Sequence, residues 1–261
     1  MTCPDGWVVG IDLAWGDAQP DGLCFLRIQG GTASVSSFAY PQGDDALFTT
    51  LRQQISRRER AFLAIDAPIV CPNPTGSRPV DRLTHTLFHR QHAACHPANQ
   101  NLCPRPPRIL RGLRAEGFFP GWNVTRAKRL ACEVYPHPAM VRWFHLDRIL
   151  KYKRGPVAVR RTEFARLGRL TRSLLQTDFP ELIVGPEIRS ALRAPWSKPA
   201  EDRLDSFFCA LIGLWHLKHA GRLSQVLGDL HTGFILLPNP PPSPCPRPAR
   251  TLDRAPRRAA R

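Results

Sequence analysis

The chain has 261 residues, 43% of them hydrophobic, enough for one well-buried domain or two small ones. Its 37 Lys and Arg against 21 Asp and Glu give a formal charge of +16, which predicts attraction to polyanions, nucleic acid foremost, although an Arg-rich coding bias would have the same effect. No run approaches the roughly 20 apolar residues that span a bilayer, and Met1 to Asp5 lacks the basic start of a signal peptide, so a cytoplasmic location is expected, with the eight cysteines as thiols or metal ligands.

Trp7-Val8-Val9-Gly10-Ile11-Asp12-Leu13-Ala14 is a short, continuous apolar run, the pattern of a strand covered on both faces. Asp12 sits near its end, where an ionised carboxylate needs a partner to offset its desolvation. A metal ion is one such partner; capping the next turn is the alternative. Gly22 to Gln29 reads as a second strand and Thr32 to Phe38 as a third, joined by the two-residue hairpin signal Gly30-Gly31. Gly43-Asp44-Asp45 then opens a helix with Leu47, Phe48, Leu51 and Ile55 on one face. The run Ala61-Phe62-Leu63-Ala64-Ile65-Asp66 repeats the first motif, a buried-strand pattern ending in Asp, closed by Pro68.

Residues 71–121 read as an irregular Pro-, Arg- and His-rich insertion with a helical piece near Val80 to Gln91. His85, His89, His92, Cys95, His96 and Cys103 crowd there, and the four-residue spacing of His85 and His89 would suit a zinc site. No CxxC pair accompanies them, so solvated histidines contacting nucleic acid are the stronger expectation. Arg129 to Pro138 is a further strand stopped by prolines, with Glu133 embedded in it. A helix follows from about Ala139 to Leu150, then the basic turn Lys151 to Gly155. A basic helix over about Val159 to Leu175 carries the stripe Phe164, Leu167, Leu170 and Leu174, with arginines on its wet face. The last major helix, about Glu201 to His219, has a stripe of Leu204, Phe207, Phe208, Leu211, Ile212 and Trp215. Asp205 shares the edge of that stripe and Asp202 lies near it, one turn toward the N-terminus, although acids at a helix start are ordinary. His231 to Leu236 is a short final strand. From Pro238 on, a Pro-rich tail with six arginines against the single Asp253 is expected to be disordered, leaving a body of residues 1–237.

This order is a three-strand antiparallel meander plus parallel strands, flanked by helices and interrupted by a His/Arg/Pro-rich insertion. It resembles the α/β ribonuclease-H-like mixed sheet. Gly10-Ile11-Asp12-Leu13-Ala14, Ile65-Asp66-Ala67-Pro68, Glu133 to Pro138, Tyr152-Lys153-Arg154-Gly155 and Asp202-Arg203-Leu204-Asp205-Ser206 are similar, in order, to the motifs of an uncharacterised domain-of-unknown-function family (DUF429) of predicted ribonuclease-H-like nucleases. Ser206 stands where that family pattern commonly has alanine. The resemblance spans about residues 6–237 and implies a metal-dependent nuclease. Two Mg²⁺ or Mn²⁺ ions would stabilise the attacking and leaving oxygens of a phosphodiester, with a few carboxylates as hard oxygen ligands. Asp12, Asp66 and Asp205 are the candidate metal ligands, with Asp202 as helper. Glu133 is a fourth acid, or the ion-pair partner of a local arginine. Lys153 and Arg154 are candidate phosphate contacts, and His137 a candidate to orient water. The alternatives are a non-catalytic nucleic-acid-binding protein on the same fold and an actin- or sugar-kinase-like phosphotransferase. The latter would need Gly-rich phosphate turns and a duplicated domain, and neither is evident.

Overall fold

The computed structural model describes residues 3–241. The basic tail expected from Pro238 onward therefore lies, beyond residue 241, outside the described residues. Strands β1 (Gly6–Asp12), β2 (Gly22–Gln29) and β3 (Thr32–Ala39) form the antiparallel meander. The β2–β3 turn is Gly30-Gly31, with φ of 58° and 81°. That pair of left-handed residues matches the right-handed twist of the strands it joins.

Helix α1 (Asp44–Gln54) crosses back to β4 (Ala61–Ile65), which lies parallel to β1. The next segment contains α2 (Pro79–Phe88), α3 (Arg105–Ala115) and the two-residue β5 (Phe119–Pro120). Strand β6 (Arg129–Glu133) pairs parallel to β4, and α4 (Pro136–Phe144) follows it. Helix α5 (Val157–Asp178), strand β7 (Leu182–Ile183), helix α6 (Pro186–Ala191) and helix α7 (Lys198–Lys218) lead to a separate hairpin, β8 (Ser224–Asp229) with β9 (Gly233–Pro238). The main sheet has seven strands in the order β5-β6-β4-β1-β2-β3-β7. This mixed α/β architecture is consistent with a ribonuclease-H-like arrangement. Among the described residues no helix is long and apolar enough to cross a membrane.

Alternation along the strands separates two cores. Val9, Ile11, Phe25, Leu63 and Ile65 face α1 and α3. Val8, Cys24, Leu26, Phe62, Ala64 and Cys132 face the larger core that includes α4, α5 and α7. Helix α7 lies almost on the backbone of β1: a Cβ added to Gly10 would meet Ser206 O at 2.0 Å and Ala210 N at 2.3 Å. Only glycine permits that approach.

Several expectations need correction. The insertion is not irregular throughout, because Arg105 to Ala115 is helical; Pro106 and Pro107 fall in its first turn, where a missing N–H removes no helical bond. For the same reason α4 begins at Pro136, not near Ala139, and it ends at Phe144, short of Leu150. Helix α6 and strand β7 are additional elements, and the final strand is half of a hairpin, its partner β8 being too polar to read as a buried strand.

Candidate active site

Parallel register brings two of the acids together. Gly10 pairs with Ala64, and Ile11 with Ile65. Asp12 and Asp66 are the next residues on each strand, and Asp66 N donates to Ile11 O at 2.8 Å. Asp12 follows Val8 and Gly10 onto the α7 side of the sheet, as Asp66 follows Phe62 and Ala64. The two carboxylates thus stand on neighbouring strands at their carboxyl ends, where open α/β sheets bind ligands. Helix α7, seated on Gly10, delivers Asp205 to the same place.

Asp205 is fully buried. Tyr152 Oη donates to its Oδ1 at 2.7 Å. Lys153 Nζ lies 2.9 Å from its Oδ2, but off hydrogen-bonding alignment, so that oxygen has charge compensation without a hydrogen bond. Asp202, one turn earlier, pairs with Lys198 at 2.7 Å and lines a small recess it shares with Asp12 and Trp15.

Electrostatics ties the group together. Burial pushes the Asp12 carboxyl up to about 7; Lys153 pulls against this, while Asp205 and Asp202 add to it. Asp66 is raised well above the carboxylate range, by burial first and then by Asp12 and Asp205 against the pull of Lys153. Burial alone would discharge Lys153, but Asp205, Tyr152, Asp12 and Asp66 outweigh it and hold the ammonium firmly protonated. Three carboxylates therefore face one lysine cation. Among the described residues, no three His, Cys, Asp or Glu side chains are already arranged around a single point to ligate an ion.

Glu133 lies apart. It pairs in register with Ile65, one row before Asp66, and so shares the face of Ile65 rather than that of Asp12 and Asp66. Arg78 holds it bidentately, Nη2 to Oε1 at 2.7 Å and Nη1 to Oε2 at 2.8 Å, and also engages Asp81. Burial lifts the Glu133 carboxyl to about 7 even though Arg78 opposes it. The structure places this residue in an ion pair with an arginine.

A cleft of about 770 Å³ opens beside the acids, lined by Asp12, Asp66 and Lys153 and, further along, by His96, His137 and Arg154. Burial, then Lys153, holds the His137 ring neutral by pulling it down to about 3. Its Nδ1 is buried with no partner, and its ring packs against Tyr135 and Tyr152. Arg154 is exposed at the rim. The remaining crowd of the insertion does not converge: His85 and His89 stack on each other on the exposed side of α2, Cys103 is buried beside Cys71, and only His92, Cys95 and His96 line the cleft.

Sequence reasoning missed a second buried arginine. Arg105 clamps the fully buried Asp21 through two contacts of 2.7 Å, donates to Ala14 O at 2.6 Å and pairs with Asp44. Asp21 in turn accepts from Ala14 N at 2.9 Å, so the loop after Asp12 is fixed from both sides. No local pattern marks that pair, which is 84 residues apart. Arg78 was more accessible: Arg78-Pro79-Val80-Asp81 has the spacing of a helix capping box.

No curated protein and no solved structure matches the chain. A family model matches residues 10–232, which include every motif described above, and the chain belongs to the family that model describes, protein of unknown function DUF429.

Proposed function

We propose that this protein is a metal-dependent nuclease that hydrolyses phosphodiester bonds at the Asp12, Asp66 and Asp205 cluster. The observation that carries the reading is the meeting of these three acids, distant in sequence, at the carboxyl edge of the parallel strands beside a cleft that Lys153 and Arg154 also line. The donor chemistry fits a hard divalent cation such as Mg²⁺ or Mn²⁺, because Asp12 and Asp66 present carboxylate oxygens to the cleft. A bound divalent ion would supply charge stabilisation at the scissile phosphate and an activated water. Asp12 and Asp66 would hold it, with Asp205 completing the charge balance. Lys153 and Arg154 would draw the phosphate backbone into the cleft, and the neutral His137 ring, which also lines it, would orient a water. Nucleic acid is the expected partner, because the described body keeps most of the positive charge and exposes Arg161, Arg166 and Arg169 along α5. The seven cysteines among the described residues are free thiols, in keeping with a cytoplasmic site of action.

The test is cleavage of labelled single- and double-stranded DNA and RNA with Mg²⁺ or Mn²⁺ against EDTA. Wild type should cut at least one substrate only with metal, and Asp12→Asn should lower the rate by orders of magnitude. Undiminished cleavage by Asp12→Asn would remove that residue from the mechanism. The lysine ammonium among the carboxylates also suits a non-catalytic nucleic-acid-binding protein. That reading predicts binding without cleavage, unchanged by Asp12→Asn and Asp66→Asn.

A further inference from the structure

We infer that Lys153 is a resident cation of the carboxylate site, so that the chain holds one divalent ion, between Asp12 and Asp66, rather than the two expected from the fold. The inference rests on the proposed metal-dependent chemistry and specifies how many ions that chemistry uses.

Both oxygens of Asp205 already have partners within the chain, the Tyr152 hydroxyl on Oδ1 and the Lys153 ammonium 2.9 Å from Oδ2. The backbone that carries the ammonium is anchored. Tyr152, the residue before it, is fully buried, with its ring against His137 and Phe164 and its hydroxyl tied to the same aspartate. A second divalent ion on the fully buried Asp205 would sit within a few ångströms of that positive charge, where the repulsion is screened less than in open water.

Of the three acids, only Asp205 has an ion-pair partner among the described residues, the Lys153 ammonium. The side-chain placement agrees as well. Among the described residues no three acids surround one point, and Mg²⁺ is commonly held by one or two carboxylates, with water and substrate phosphate filling its remaining positions.

The test counts ions without assaying turnover. Full-length protein is stripped with EDTA, dialysed against Mn²⁺, and its bound Mn²⁺ measured by equilibrium dialysis and electron paramagnetic resonance. Wild type should bind one Mn²⁺ with the spectrum of an isolated ion. Lys153→Met should gain a second, with the signature of an exchange-coupled pair, while Lys153→Arg, which keeps the charge, should remain at one. Two coupled ions in wild type would overturn the inference and leave the nuclease reading standing. No bound ion in wild type would overturn both. A single ion in a folded Lys153→Met would show that Lys153 does not exclude the second. Should Lys153→Met fail to fold, the wild-type count still decides.

Discussion

Replacing Asp12 with asparagine should stabilise the metal-free protein, and more so at high pH than at low. Burial lifts this carboxyl from 3.8 to about 7, with Asp205 and Asp202 adding to the effect and Lys153 opposing it. A carboxyl raised on folding contributes stability that is fully present below its unfolded value and is lost as pH rises through its folded value. At about 1.4 kcal/mol per pH unit, the interval from 3.8 to about 7 corresponds to about 4 kcal/mol, reached in full only above neutrality. Asparagine keeps the shape and carries no charge at any pH, so the variant escapes that loss. The attraction to Lys153 that it forgoes is already inside the net figure. At about pH 5 only the unfolded chain is ionised, and the difference should be about 2 kcal/mol. Urea denaturation in EDTA at about pH 5 and about pH 8 measures both gaps. A variant less stable than wild type at the higher pH, or a gap that fails to widen, would refute the reasoning. It would mean that Lys153 stabilises the ionised carboxylate more than burial penalises it.

Gly10→Ala should lose about 3 kcal/mol or more, because the added methyl meets the α7 backbone rather than a side chain that can swing away; a denaturation midpoint close to wild type would show that α7 can shift. Arg78→Met should cost about 3–5 kcal/mol by leaving Glu133 and Asp81 buried without their cation. Adding Glu133→Gln to that variant should recover part of the loss, and a double variant no more stable than the single would place the damage in packing instead.

Much of the fold can be read from the amino-acid pattern. The apolar runs ending in Asp12 and Asp66 are strands, Gly30-Gly31 is the hairpin turn, and the stripe from Leu204 to Trp215 is the buried face of α7. These signals are local, set by a period of two or 3.6 residues and by turn chemistry. Prolines misled in two places. Read as breakers, they hid the start of α4 and all of α3, whereas a proline in the first helical turn loses no hydrogen bond.

The site was legible only in part, and Glu133 shows why. In the sequence it resembles Asp12 and Asp66, an acid at the end of a short apolar strand. What separates them is a register offset of one residue, which alternation converts into opposite faces of the sheet, so that Glu133 meets Arg78 while the two aspartates meet α7. The sequence by itself determined which residues could be strand-end acids and that a buried helix followed them. Only the tertiary structure decided which acids share a face, that the bare backbone of Gly10 admits Asp205 beside them, and that Lys153 is the cation they surround. The physical reason is range: periodicity and turn preference act within a few residues, whereas pairing register and charge compensation are settled between segments far apart in the chain.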